Sequence, residues 1–153
     1  MVRLSDVSPE EAEFLRETEC PTFDEQPWVA GPPLSARRVA MVSSAGLNMR
    51  GERPFLSGNP GYRAIPADAP AGDILMSHVS VSYDRTGFQQ DLNVVLPIDR
   101  LRELAAEGVI GAAADTHYSF MGAVAPEAME PQARKLSQTL KDDGVDSLIL
   151  LPV

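Results

Sequence analysis

Thiols are almost absent from this chain of 153 residues: Cys20, in "ETECPTF", is its only cysteine. A single thiol forms no internal disulfide and no thiol-rich metal centre. The acids around it, Glu17, Glu19 and Asp24, disfavour the thiolate, so Cys20 reads as structurally incidental. Long apolar runs are missing as well. No window reaches the roughly 20 apolar residues of a membrane span, and "MVRLSDVSPEEAEF" at the N-terminus lacks the apolar centre of a signal peptide. A cytoplasmic protein without membrane contact is expected. Positive charge is scarce too. The net charge of −9 opposes the basic face that nucleic acid demands, which excludes it as an expected partner. The sequence shows no repeat and no low-complexity tract.

What remains is the composition of a globular domain, 44% apolar and 23% charged, long enough to bury a core. The charge is uneven: residues 1–27 hold eight acids against two bases. Such an arm reads as a solvated face, with a docking surface for a basic partner as the alternative. Ser8-Pro9-Glu10-Glu11 has the form of a capping box with proline at the first helical position, predicting a helix over Pro9–Glu17. The linker "CPTFDEQPWVAGPPLS" follows, with Trp28 expected to pack the arm onto the rest. Residues 1–34 are therefore expected to form an arm, and residues 35–153 an α/β domain.

Within that domain, apolar runs bounded by turn residues predict strands at 38–42, 62–65, 74–79 and 110–114. "PIDRLRELAAEG" predicts a helix with Ile98, Leu101, Leu104 and Ala105 on its apolar face and Gly108 as its stop. "MEPQARKLSQTLKDDG" predicts a second, with Met129, Ala133, Leu136 and Leu140 on one face, ending at Gly144. "VDSLILLPV" reads as a strand covered on both sides. Alternating strands and helices imply a three-layer α/β sandwich around a mostly parallel sheet of four or five strands.

Ligands of such sheets bind beyond the carboxyl ends of the strands. Three polar clusters fall at predicted strand ends: Ser43-Ser44, His78-Val79-Ser80 and Thr116-His117-Tyr118-Ser119. Both histidines of the chain are among them, and histidine exchanges protons near neutral pH. The opposing reading makes each a packing residue. "THYSF" is expected to line one pocket with His78, with His78 and His117 as catalytic candidates and Ser43, Ser44, Asp91, Tyr118 and Ser119 as substrate-binding ones. His78, His117 and Asp84 or Asp91 have the residue types of a metal site but no recognised spacing, so no metal is assigned. Ser43 or Ser44 as a nucleophile lacks the elbow glycines, and "SSAGLNMRG" lacks phosphate-loop spacing. Asp91 and Asn93 lead into a helix, where a turn is the structural reading and the rim of the cleft the functional one. Arg100 opposes the helix dipole unless an acid pairs with it.

Taken in order, "RRVAMVSSAGLN", Ser77-His78, Asp91-x-Asn93, Pro97-Ile98-x-Arg100-Leu101-x-Glu103-Leu104, His117-Tyr118-Ser119-Phe120-Met121-Gly122 and "LKDDGVDSLILLPV" resemble the glycine/sarcosine/betaine/D-proline reductase family of selenoprotein B type, over residues 28–153. The resemblance implies an oxidoreductase that reductively cleaves a C–N bond of a small amino acid or its N-methylated relative. It implies a selenocysteine or cysteine just beyond the strand at 147–153, acting as nucleophile, and a pyruvoyl-bearing partner subunit. No such redox residue follows Val153 in the sequence. One expectation is that Val153 precedes a selenocysteine codon read as termination. The competing one is a non-catalytic binding or partner subunit on the same fold. A homo-oligomer or an association with a reductase partner is expected, because the apolar "LILL" needs cover.

Overall fold

The computed structural model describes the chain except for residues 1, 2, 19–21, 23–25, 27 and 82. The expectation placed on Cys20 lies outside the described residues. Two compact units emerge, residues 1–30 and residues 31–153. In the first, helix α1 spans Pro9–Glu17 and begins as its sequence predicts. Ser8 Oγ accepts from the Glu11 amide at 3.1 Å, satisfying one of the N–H groups that the first turn leaves unpaired. Trp28 is exposed.

The second unit is mixed α/β with a mostly parallel sheet. Strand β1 (Arg38–Ser43) pairs parallel with β7 (Ser147–Leu151) along one edge. Its other edge pairs parallel with β5 (Ala112–Ala113) near its start and with β6 (Thr116–Phe120) near its end. Strand β3 (Tyr62–Pro66) joins β6 antiparallel. A separate two-stranded sheet is formed by β2 (Leu47–Met49) and β4 (Ile74–Met76).

The apolar run of β1 is explained by burial on both faces. Val39 and Met41 join one cluster with Leu47, Ile65, Ile98 and Leu101. Ala40 joins another with Tyr118, Phe120, Leu136 and Leu140. Helix α2 (Thr86–Gln90) is short; α3 (Ile98–Ala106) supplies Ile98 and Leu101 to the first cluster, and α4 (Pro126–Asp142) supplies Leu136 and Leu140 to the second. Among the described residues, no helix is long and apolar enough to cross a membrane.

Two sequence expectations are corrected. "THYSF" is not a cluster beyond a strand but strand β6 itself, because its alternating residues can be buried on both faces. The strand expected over 74–79 stops at Met76 and pairs in the small sheet, so His78 follows a strand outside the parallel sheet.

Candidate functional site

The carboxyl end of β1 turns through Ser43, Ser44, Ala45 and Gly46. Ser43 is fully buried, and its Oγ accepts from the Ala45 amide at 3.2 Å. Ser119 Oγ donates to the Ser43 carbonyl at 3.0 Å and accepts from the Leu47 amide at 2.9 Å, tying β6 to the turn. Ser44 is half-buried. Its Oγ accepts from the Val153 amide at 2.9 Å, and its own amide donates to the Leu151 carbonyl at 3.0 Å. Gly122 donates its amide to the Ser44 carbonyl at 2.8 Å. A Cβ on Gly122 would meet the side chain and carbonyl of Ser44 at 3.0 Å, so any larger residue there would crowd this close approach.

Gly46 seats His78. Its φ of +69° lies in the left-handed region, and a Cβ there would stand 3.1 Å from the His78 amide nitrogen. The Ser77 amide donates to the Gly46 carbonyl at 2.9 Å. The His78 backbone is thereby held against the turn that follows β1, although its strand belongs to the other sheet. The His78 ring is buried, and its Nδ1 accepts from the Ser80 amide at 3.2 Å. Tyr83 lies against it, ring centroids 4.7 Å apart and tilted by 38°. Nε2 has no hydrogen-bond partner among the described residues. Burial first, and then the Arg85 charge, push the imidazole pKa below its usual value.

His117 lies within β6 and is fully buried. Its Nδ1 accepts from the Met41 amide at 3.2 Å, and Nε2 has no partner among the described residues. Burial, assisted by the Arg102 charge, lowers its pKa to about 4. Neighbouring residues of a strand point to opposite faces. Tyr118 accordingly sits in the cluster with α4, edge-on to Tyr62 at 5.6 Å between centroids. Burial comes first among the causes that raise its phenol pKa. The single pocket expected of "THYSF" and His78 is thus divided between two faces. His117 and Ser119 share one face; Tyr118 and Phe120 share the other.

Asp91 is exposed and turned inward on its own loop. Its Oδ1 accepts from the Asn93 backbone amide and side-chain amide, both at 2.9 Å. These bonds to Asn93 hold its carboxyl pKa below the usual value. Asn93 Oδ1 in turn accepts from the Asp99 amide at 3.1 Å, capping the start of α3. Arg100 pairs with Glu103 at 2.7 Å, and Arg102 with Asp99 at 3.0 Å. Arg102 also donates to the Ala67 carbonyl, anchoring α3 beside β3. Among the described residues, no three His, Cys, Asp or Glu side chains gather as a metal site.

A cavity of about 400 Å³ opens on the α4 side of the sheet. Ser43, Ser44 and Phe120 line it with Met129, Ala133 and Leu150, and neither histidine does. Ser43 and Ser44 therefore adjoin both this cavity and the turn that seats His78. Sequence reasoning missed Tyr83 and Arg85, the residues closest to the His78 chemistry. The available signal was the close spacing of an aromatic ring and an arginine after "SHVS", in a loop whose carbonyls need donors.

The family described as glycine/sarcosine/betaine reductase selenoprotein B matches residues 8–152. The D-proline reductase subunit gamma of Acetoanaerobium sticklandii is 36% identical over 115 residues, covering 73% of this chain and 47% of that protein. The glycine reductase complex component B subunit gamma of Symbiobacterium thermophilum is 31% identical over 147 residues, covering 90% of this chain and 33% of its own length. The sarcosine reductase complex component B subunit beta of Peptoclostridium acidaminophilum is 29% identical over 144 residues, with the same coverage. The chain thus spans between a third and a half of these curated relatives. No solved structure matches.

Proposed function

The chain belongs to the glycine/sarcosine/betaine reductase selenoprotein B family, and on that premise we propose that it forms part of a reductase complex acting on a small amino acid or its N-methylated relative. The substrate class is that of glycine, sarcosine, betaine or D-proline, and the domain is a three-layer α/β sandwich with α3 and α4 outermost. Reductive C–N cleavage takes up two electrons and two protons and breaks the C–N bond, which frees ammonia or an amine from glycine, sarcosine or betaine and opens the ring of D-proline. The 153 residues hold one thiol, Cys20, and no selenocysteine. In this reading the electrons come through a selenocysteine outside these residues, and a pyruvoyl-bearing partner subunit engages the substrate. The chain's own part is to bind and orient.

One observation carries the reading: the turn after β1 joins Ser44, Val153 and His78 at one edge of the fold. Ser44 Oγ holds Val153, and Gly46, two residues on, seats His78. The resemblance puts the redox residue just after β7, which ends at Leu151. His78 and Ser44 are the substrate-facing residues of this proposal, with Ser43 and Ser119 bracing the turn and His117 and Tyr118 setting β6 behind it.

The test is amide and imidazole chemical-shift mapping of the ¹⁵N-labelled chain with glycine, sarcosine, betaine and D-proline in turn. Saturable shifts centred on Ser44 and His78 with one of the four are expected. The chain alone should turn over none of the four, and the reductively cleaved product (ammonia or amine release, or ring opening for D-proline) should appear only with the remaining reductase components. Absence of shifts with all four, together with no activity in the assembled complex, would overturn the reading.

A further inference from the structure

The segment from Ser77 to Arg85 carries an arrangement that substrate recognition by family does not explain. The Arg85 guanidinium is half-buried and spends its donors on three backbone carbonyls of the same segment. Nη2 donates to the His78 carbonyl at 2.6 Å and the Ser80 carbonyl at 3.0 Å, and Nη1 to the Tyr83 carbonyl at 3.3 Å. Only a planar, multi-pronged donor can satisfy carbonyls splayed in this way. The consequence falls on the imidazole. With its carbonyl held, Ser80 presents its amide to His78 Nδ1 at 3.2 Å, and Tyr83 is held with its ring against that of His78.

A backbone N–H can only donate to a ring nitrogen that carries a lone pair. Nδ1 is therefore the unprotonated nitrogen of the neutral ring, and the proton resides on Nε2. That Nε2–H is buried without an acceptor among the described residues. The two acids nearest in sequence are already engaged: Asp73 pairs with Arg50 at 3.0 Å, and Asp84 Oδ1 accepts from the Thr86 amide at 2.8 Å.

We propose that Arg85 is a positioning residue that fixes His78 as a neutral Nε2–H donor, and that this donor recognises the carboxylate of a small ligand. A carboxylate fits because it is an acceptor only, and because the Arg85 cation makes the local potential favourable for an anion. The carboxylate as ligand rests on the proposed function above, whereas the tautomer and its control by Arg85 do not.

The experiment is long-range ¹H–¹⁵N correlation spectroscopy of the full chain at neutral pH. His78 and His117 are its only histidines, and they report separately. In the wild type both rings should show the Nε2–H pattern, since His117 Nδ1 accepts from the Met41 amide. In Arg85→Met, His78 should average between tautomers and its pKa should rise, while the His117 pattern stays as it was and certifies the fold. Should His117 change as well, Arg85→Lys decides: an ammonium cannot span three carbonyls, so the Nε2–H population at His78 should still fall. Titration with acetate should shift His78 Nε2 saturably in the wild type and at least tenfold more weakly in Arg85→Met. An Nδ1–H pattern in the wild type, or a His78 signature indifferent to both substitutions, overturns the proposal. No acetate response overturns its ligand half. If acetate binds, none of the four substrates does and the assembled complex is inactive, the site stands and the proposed function falls.

Discussion

The Met41 amide donates to His117 Nδ1 at 3.2 Å, across the junction of the two parallel strands β1 and β6. A polar side chain at the centre of the sheet thus takes the place of an inter-strand backbone bond. It does so only as the neutral imidazole, because a protonated ring has no acceptor to offer.

The first prediction follows from that bond. The His117 pKa falls from 6.5 to about 4 in the folded chain, by burial and then by the Arg102 charge. As pH falls, the unfolded chain therefore takes up this proton before the folded one. The stabilisation is complete above the unfolded value near 6.5 and is lost progressively towards 4. The loss is on the order of 3 kcal/mol. Urea midpoints at pH 7.5 and 4.5 should differ by more in the wild type than in His117→Gln, which will be less stable at pH 7.5. Equal differences in the two proteins would show that His117 is not the source.

Ser119 supplies the second prediction. Its hydroxyl is fully buried and accepts from the Leu47 amide at 2.9 Å while donating to the Ser43 carbonyl at 3.0 Å. Ser119→Ala leaves the Leu47 N–H buried without that partner, which costs about 1–3 kcal/mol. Ser119→Cys keeps the volume with weaker hydrogen bonding and should fall between wild type and alanine. Chemical denaturation measures both. If alanine is no less stable than wild type, the bond is not holding the turn.

The third prediction separates two roles for Asp91. Its bonds to Asn93, and those of Asn93 to Asp99, order the entry to α3. Losing a cap of this kind costs roughly 0.5–2 kcal/mol. Asp91→Ala should lower stability within that range and leave the acetate response of His78 unchanged. Asp91→Asn, which keeps an acceptor for the Asn93 amides, should recover most of the loss. A weakened ligand response at full stability would instead put Asp91 at the binding site.

Where the chain's pattern was local, it could be read directly. Ser8 and Pro9 specify the start of α1, and the 3.6-residue spacing of Met129, Ala133, Leu136 and Leu140 specifies the face of α4 turned to the sheet, where Leu136 and Leu140 are buried and Met129 and Ala133 line the cavity. β6 was hidden because its polar residues imitate a turn. His117 and Ser119 are tolerated inside only because distant partners, the Met41 and Leu47 amides, satisfy them. No local rule announces such partners. The family resemblance rests on several segments in order, "HYSFMG" among them, and does not depend on where that segment lies in the sheet. At the candidate site, the ends at Ser43 and Ser44 were legible from the turn after an apolar run. The spacing of Tyr83 and Arg85 after "SHVS" was the one signal there; the Arg85 contacts themselves were not legible, because they go to backbone carbonyls.

The last prediction concerns β7. This strand bonds to β1 along one edge and to no other strand among the described residues. Leu148 and Leu150 on one face and Ile149 on the other are exposed, Leu150 by 67%. A strand with an open edge and apolar residues on both faces is a template for pairing with another chain. The chain is therefore expected to associate, with itself or with a reductase partner, at roughly tens of micromolar, the range of a weak dimer. Leu150→Lys places a charge on the apolar face beside that edge and should shift the equilibrium towards monomer at least tenfold, with little loss of stability because Leu150 is already exposed. Ser137→Lys, an exposed position on α4, is the control for added charge and should leave association unchanged. Sedimentation velocity over a concentration series reads both variants. A wild type that stays monomeric throughout, alone and with the reductase components, would remove β7 as an interface; equal weakening by both lysines would assign the effect to net charge and not to the strand edge.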